Sequence, residues 1–259
     1  MSLIDKTIAS TFKDIVTIEN SNTGFDTNID QVKSGNGNGS SLYLSTNNFK
    51  VQPTSDSTTN SVIYDKDGNI LFQVDSTNDA VKALGNHVNS QYAKFSTTNR
   101  GATSYSANTH YAVDYIGNYS NTTDYVTLGT STNPDTSLTV ATTAHLLIPK
   151  MWYVPDAITI DAVSFWVGGD AASGDTIRCH LMSYDIVTTA GATGGDLSNG
   201  VVVADGADIS NDGYEQAYYQ AMTIQSASVS AGKALFFTFR QDGTNSDYSI
   251  SSTIKYHLT

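Results

Sequence analysis

Five histidines, two glutamates and a set of turn-borne aspartates are the groups with which this chain of 259 residues could do acid–base or metal chemistry. His87, His110, His145, His180 and His257 stand far apart, with no HxH or HExxH spacing to set two imidazoles on one face of an element. A zinc site would need separate strands to gather them, and His180, inside an apolar run, reads as a satisfied core residue. Glycoside hydrolysis needs two carboxyl groups facing each other across a cleft. The only glutamates are Glu19 and Glu215, and the aspartates fall mostly in turns. Glu215 lies beside Tyr214, Tyr218 and Tyr219, a mixture that suits a saccharide face. A strand with polar residues out and aromatics in reads the same way. These three tyrosines are the candidate ligand-facing residues.

Two stretches invite a calcium reading. Asp65-Lys66-Asp67-Gly68-Asn69 departs from the calcium-loop pattern, since its glycine comes two residues early and no glutamate stands at the twelfth position. A hairpin turn accounts for it. Asp205-Gly206-Ala207-Asp208 with Asn211 and Asp212 offers hard oxygen donors on a glycine-bearing loop, but a plain turn is the simpler account. Cys179 is the single cysteine, so there is no disulfide framework, and it reads as a small buried apolar residue. No phosphate-cradling loop, Ser-His-Asp motif or dinucleotide fingerprint occurs. No catalytic, cofactor-binding or metal-ligating residue is assigned, and the chain is expected not to be an enzyme.

The net charge of −12 repels phosphate backbones, which disfavours nucleic acid as a partner. No run of about 18 apolar residues is present, so no membrane-spanning helix is expected. The start, Met1-Ser2-Leu3-Ile4-Asp5-Lys6, lacks a charged segment followed by an apolar one. Synthesis in a cytoplasm without export by that route is the expectation, and the N-x-S/T triplets at Asn38, Asn118 and Asn121 are then accidents of composition.

The stretch that organises the chain is 156–185. Two strand-like runs, 157–167 and 176–184, flank a glycine-rich turn. By strict alternation Ile158, Ile160, Ala162, Ser164 and Trp166 fall on one face, and Thr159, Asp161, Val163, Phe165 and Val167 on the other. Apolar residues then cover both faces near Trp166, as in a central strand of a β-sandwich. With few helix formers, 15 Tyr, 9 Phe and many Val, Ile and Thr, the chain is expected to be all-β.

In chain order, residues 1–20 place Ile4, Ile8, Phe12 and Ile15 at helical spacing, though the threonines and valine between them suit an extended arm equally. Such an arm cannot bury itself and must dock. Residues 21–90 form a Gly/Asn-rich linker, densest at Gly35 to Ser41, and a β-meander over 42–84. Asp67-Gly68 is its strongest hairpin signal. The meander owns too few large apolar residues for a core of its own. Copies of the chain, three for preference, would supply the rest. Residues 91–124 read as a linker, whose tyrosines Tyr105, Tyr111, Tyr115 and Tyr119, with Tyr125 after them, could stack on sugars or pack a connection against a sheet. Residues 125–128 and 137–140 read as strands that open the C-terminal domain, and 145–148, 151–154, 200–204, 214–224, 233–240 and 248–257, added to the two central runs, make about eight strands over 125–259. That count suits a jelly-roll-like sandwich.

Thr11-Phe12-Lys13-Asp14-Ile15 in the arm, Asp67 to Asp75 (DGNILFQVD) and Trp166-Val167-Gly168-Gly169-Asp170 together resemble tailed-phage virion structural proteins, especially those of marine phages. The likeness spans the whole chain loosely. It implies an attachment arm, a short β-meander and a C-terminal sandwich, assembled as a homotrimer on a virion surface after synthesis in the host cytoplasm. It implies a capsid decoration or head-fibre protein held by Ile4, Ile8, Phe12 and Ile15 to a neighbour such as the major capsid protein. The alternative is a tail-fibre or receptor-binding protein whose sandwich recognises host surface glycan. No catalytic residue is implied.

Overall fold

The structure, a computed structural model, describes residues 16–18, 24–97, 105–115, 125–169, 173–243 and 248–259. Strands hold 53% of the residues and helix 3%, so the chain is all-β as its composition requires. Two compact units divide it, Met1–Val88 and Asn89–Thr259. Among the described residues no helix is long and apolar enough to cross a membrane. Ile4, Ile8, Phe12 and Ile15 lie outside the described residues.

The first unit holds two four-stranded antiparallel sheets. One runs β1 (Val16–Ile18), β2 (Asp30–Ser34), β3 (Gly39–Leu44), β4 (Phe49–Val51). The other runs β5 (Ser61–Tyr64), β6 (Ile70–Asp75), β7 (Ala80–Ala83), β8 (Asn86–His87). β2 and the start of β3 arise where the sequence reads as linker. The Asp67-Gly68 hairpin forms as expected. Asp65 accepts hydrogen bonds from the backbone of Asp67 (2.9 Å) and Asn69 (2.8 Å), and Gly68 takes φ +84°, which a side chain would resist. The carboxylate is thus engaged in the turn, and its Asn69 contacts hold its pKa below the usual range.

Each sheet of this unit has an apolar face. Leu42 pairs Val51 and Leu44 pairs Phe49, so these four share one side. Lys50 lies over the Tyr43 ring, 4.6 Å from its centroid, on the reverse. In the second sheet Ile63, Phe72 and Ala83 form one cross-strand row, and Val74 pairs Val81 on the same side. Little covers either face: Phe49 is 70% exposed and Ile63 59%. Val32 and Ala80 are the only buried apolar side chains among the unit's described residues.

The second unit is a two-sheet antiparallel sandwich. Its elements are β9 (Ser90–Ala93), β10 (Ser96–Thr97), β11 (Tyr111–Ala112), α1 (Ala144–Leu147), β12 (Trp152–Tyr153), β13 (Ile158–Gly169), β14 (Ser173–Ile186), β15 (Leu197–Asp205), β16 (Ile209–Asp212), β17 (Gln216–Ala221), β18 (Thr223–Ile224), β19 (Ser228–Val229), β20 (Lys233–Gln241) and β21 (Ser249–Leu258). One sheet has the order β10-β21-β13-β17, with β9 beside β21 and β19 beside β13. The other has the order β11-β20-β14-β15-β18, with β12 beside β20 and β16 beside β14. From β16 onward every connection crosses between the sheets, in the wrapping manner of a jelly roll. Phe165, Val167 and Ile254 meet Cys179, Leu181, Phe237 and Phe239 between the sheets.

The two central runs belong to different sheets, β13 at the heart of one and β14 of the other. Their surroundings differ too. β14 and β20 are buried on both sides, because Met182, Tyr184 and Phe236 pack outward against Val126, Leu128, Val140 and Leu147. That explains the unbroken apolar run 234–237. β13 has one side open, and Trp166 is 53% exposed, contrary to the expectation of cover on both faces. The reason is a β-bulge. Ile160 pairs Tyr256 while Ala162 pairs Lys255, so Asp161 is an extra residue. It swaps the parity: Ile158 and Ile160 point inward before it, and Val163, Phe165 and Val167 after it. His257 Nδ1 holds the Asp161 carboxylate at 2.9 Å.

Three further expectations change. Residues 90–93, 96–97 and 111–112, read as linker, pair with β21 and β20. Phe95, Tyr105 and Tyr111 are core residues, and Tyr105 packs on Tyr111, Tyr125 and Phe239, so these tyrosines brace a connection rather than face sugar. Tyr119 lies outside the described residues. Residues 145–148, expected as strand, lie in α1 and the 3₁₀ turn Ile148–Lys150, where Pro149 suits the turn's start. Segments 125–128 and 137–140 make only isolated bridges, through Thr127 and Leu138.

Candidate functional site

The open side of the six-stranded sheet is the candidate binding face. One register row crosses it. Ser96 on β10 pairs Ser251 on β21, Ser251 pairs Trp166 on β13, and Trp166 pairs Tyr219 on β17. Directly paired residues share a face, so four strands present serine, serine, tryptophan and tyrosine side by side. The two rings lie 5.2 Å apart at 52°, and Tyr219 is 56% exposed. A large apolar surface left in water on a rigid central strand is the informative exception to burial.

Beside Trp166 runs a shallow groove of about 350 Å³, lined by Ser96, Trp166, Gly168, Ser249 and Ser251 among others. Gly168 keeps its floor low: a Cβ there would touch nothing closer than Ser249, at 3.9 Å. Among the described residues no charged one lines the groove. Lys255 shares the face but stands four residues along β21 from Ser251, about 13 Å at strand rise. The arrangement can stack a flat apolar ligand face and offer hydroxyls at its edge. Among the described residues it holds no acid–base pair.

The three tyrosines separate here. Tyr219 is on the face. Tyr218, one residue back, points the other way, half-buried against the core. Its hydroxyl lies 3.0 Å from Asn211 Oδ1 and accepts from Gln216 Nε2 at 2.8 Å. Those contacts make it a brace for the loop before β17, not a ligand contact. Tyr214 is exposed in that loop, outside the register row. Trp166 went unrecognised because the bulge inverts its parity.

The other titratable clusters serve the fold. Arg178 takes Asp205 through two nitrogens, at 3.1 and 2.7 Å, and reaches Asp208 at 3.3 Å. A guanidinium therefore sits where the calcium reading would put a metal. Cys179 is buried, and burial pushes its thiol pKa up. His145 lies on α1, and His87 lies on β8 of the first unit.

His110 and His180 come together, with ring centroids 5.1 Å apart and both rings buried. Burial, then repulsion from His110, lowers the His180 pKa to about 4. Asp205 Oδ1, 3.2 Å from His180 Nε2 but not aligned for a hydrogen bond, pulls the other way and is outweighed. Burial lowers His110 as well. The unfolded chain binds protons below about pH 6.5 that the folded chain refuses until about pH 4, so stability falls on acidification through that window. We expect His180 to account for about 3 kcal/mol of that loss. Urea unfolding at pH 7 and pH 4.5 checks it. A His180→Gln variant should lose distinctly less than the parent, and an equal loss would clear His180 of the role.

The fold and face define a class: an all-β protein whose second unit is an antiparallel sandwich with one open, aromatic-bearing sheet. No family model and no curated protein matches the chain. Among solved structures it is similar to the Clostridium thermocellum endo-1,4-beta-D-xylanase 10B, CBM22-1–GH10 modules complexed with xylohexaose. The identity is 13% over 65% of this chain and 26% of that one, with a TM-score of 0.22. At that TM-score the likeness carries no weight for fold or function.

Proposed function

We propose that this chain is a non-enzymatic structural protein that works as a homotrimer, of the virion fibre or capsid-decoration kind. One observation carries the reading: the first unit has two sheets with apolar faces and, among the described residues, only Val32 and Ala80 as buried apolar side chains. Monomeric soluble proteins rarely leave such faces in water. Two different apolar faces per chain suit head-to-tail contact between copies, which closes as a ring, and three is the smallest such ring. Residues 1–20 then hold the assembly to a neighbouring structural protein such as a major capsid protein, and the virion surface is its place. The resemblance of the arm and of the 67–75 hairpin supports that setting. Light scattering of the purified chain should give three times the 27.7 kDa subunit mass. A stable single subunit at micromolar concentration would overturn the reading.

A further inference from the structure

We propose that the open face of the six-stranded sheet binds a neutral oligosaccharide, with Trp166 and Tyr219 as the stacking platform and Ser96, Ser249 and Ser251 as hydrogen-bonding partners. The site stands on the second unit alone and does not rest on trimer formation.

The chemistry of the face selects the ligand. A pyranose ring has apolar C–H faces and a rim of hydroxyls. An aromatic ring exposed on a rigid strand meets the first need at little entropic cost, because its orientation is already fixed. Serine hydroxyls, which donate and accept, meet the second. A protein interface enriches aromatic residues, Met and Arg around such an anchor and depletes Ser and Ala. Here the neighbours of Trp166 along its strand and across the sheet are Ser164, Gly168 and Ser251, with Ala217 and Ala221 beyond on β17. A polyanion would call for Lys or Arg; among the described residues none lines the groove, and the chain's charge of −12 opposes it. The row Ser96–Ser251–Trp166–Tyr219 spans three strand spacings, about 14 Å. That length suits several linked sugars better than one.

The protein supplies its own reporter. It has two tryptophans, and Trp152 is buried while Trp166 is exposed. Full-length protein titrated with neutral gluco-, manno-, xylo- and galacto-oligosaccharides to millimolar concentration should show a blue-shifted tryptophan emission with at least one series. Affinity should rise from the monosaccharide to the tetrasaccharide. Sialylated and sulfated oligosaccharides should bind more weakly than neutral ones. Trp166→Ala should weaken binding roughly ten- to a hundredfold, Tyr219→Ala less, and Trp166→Phe should restore part of it. Calorimetry reads these variants where the fluorophore is gone. Tyr214→Ala, exposed but off the row, should bind as the parent does. The urea midpoint of each variant shows whether it is folded, since an outward side chain contributes little to the core. Silence across the neutral panel, preference for the acidic sugars, or binding that survives Trp166→Ala in a folded variant would each overturn the assignment. None of those results would alter the mass by light scattering.

Discussion

Phe49→Asp combined with Ile63→Asp is expected to convert the proposed trimer into single chains of 27.7 kDa. Each residue lies on the apolar face of one of the two sheets of the first unit, on an edge strand, and each is largely exposed within one chain. A monomer loses almost nothing by either change. A ring of copies loses about 1.5–3 kcal/mol of burial per apolar side chain and must desolvate a carboxylate in its place. Three interfaces multiply the effect, so the loss exceeds what a micromolar assembly can absorb. Light scattering reads the mass directly. Hydrogen exchange adds a second readout. With Val32 and Ala80 the only buried apolar side chains among its described residues, the first unit should lose amide protection once dissociated, while β13, β14, β20 and β21 keep theirs. Leu84→Asn is the control. Leu84 is also exposed, but it sits in a turn with φ +49°, which asparagine tolerates better, so association should be unchanged. If the double variant stays at the parent mass, the apolar faces are not where copies meet.

Alternation and turn chemistry made much of this fold legible. Ile70 to Val74 and its Asp67-Gly68 turn, the continuous run at 234–237 and the shortage of large apolar residues before residue 88 all follow from local pattern. What pattern could not supply was pairing. Strict period two along 157–167 predicts that Ile160 and Trp166 share a face, yet one unpaired residue, Asp161, reverses the phase, and only the register against β21 reveals it. The same dependence divides Tyr218 from Tyr219: both are strand tyrosines, and pairing with Val167 and Trp166 on β13 decides which one meets water. Residues 90–112 carry too little apolar character to announce strands, but edge strands covered by a neighbour need little. His110 and His180, 70 positions apart in sequence, meet only because β14 lies beside β20 and the 105–115 segment crosses that sheet.

A second long-range contact was equally invisible, and its removal should be the costliest single change in the sandwich. Lys150 closes the 3₁₀ turn after α1 with its side chain 0% exposed, and its Nζ lies 2.5 Å from Oδ1 of Asp114, which is 4% exposed. The pair ties the segment after β11 to the segment before β12, where Tyr115 N–H also donates to the Pro149 carbonyl at 2.8 Å. Lys150→Met leaves a buried carboxylate without its ammonium partner, and the expected cost is about 3–5 kcal/mol of unfolding free energy. That is a large share of the 5–15 kcal/mol, roughly, that domains possess. Asp114→Leu alone takes the carboxylate from the buried ammonium and should cost a similar amount. Together the two changes replace ion by hydrocarbon on both sides, so the double variant should recover most of the loss, giving a coupling of several kcal/mol in the mutant cycle. Urea unfolding of the four proteins measures it. Additive losses would mean that the two side chains act separately, and single-variant costs below about 1 kcal/mol would mean that water reaches the pair. Recovery in the double variant would further imply that the ion pair sets which segments meet rather than how strongly they hold, since a hydrocarbon pair stabilises as well but selects its partner less.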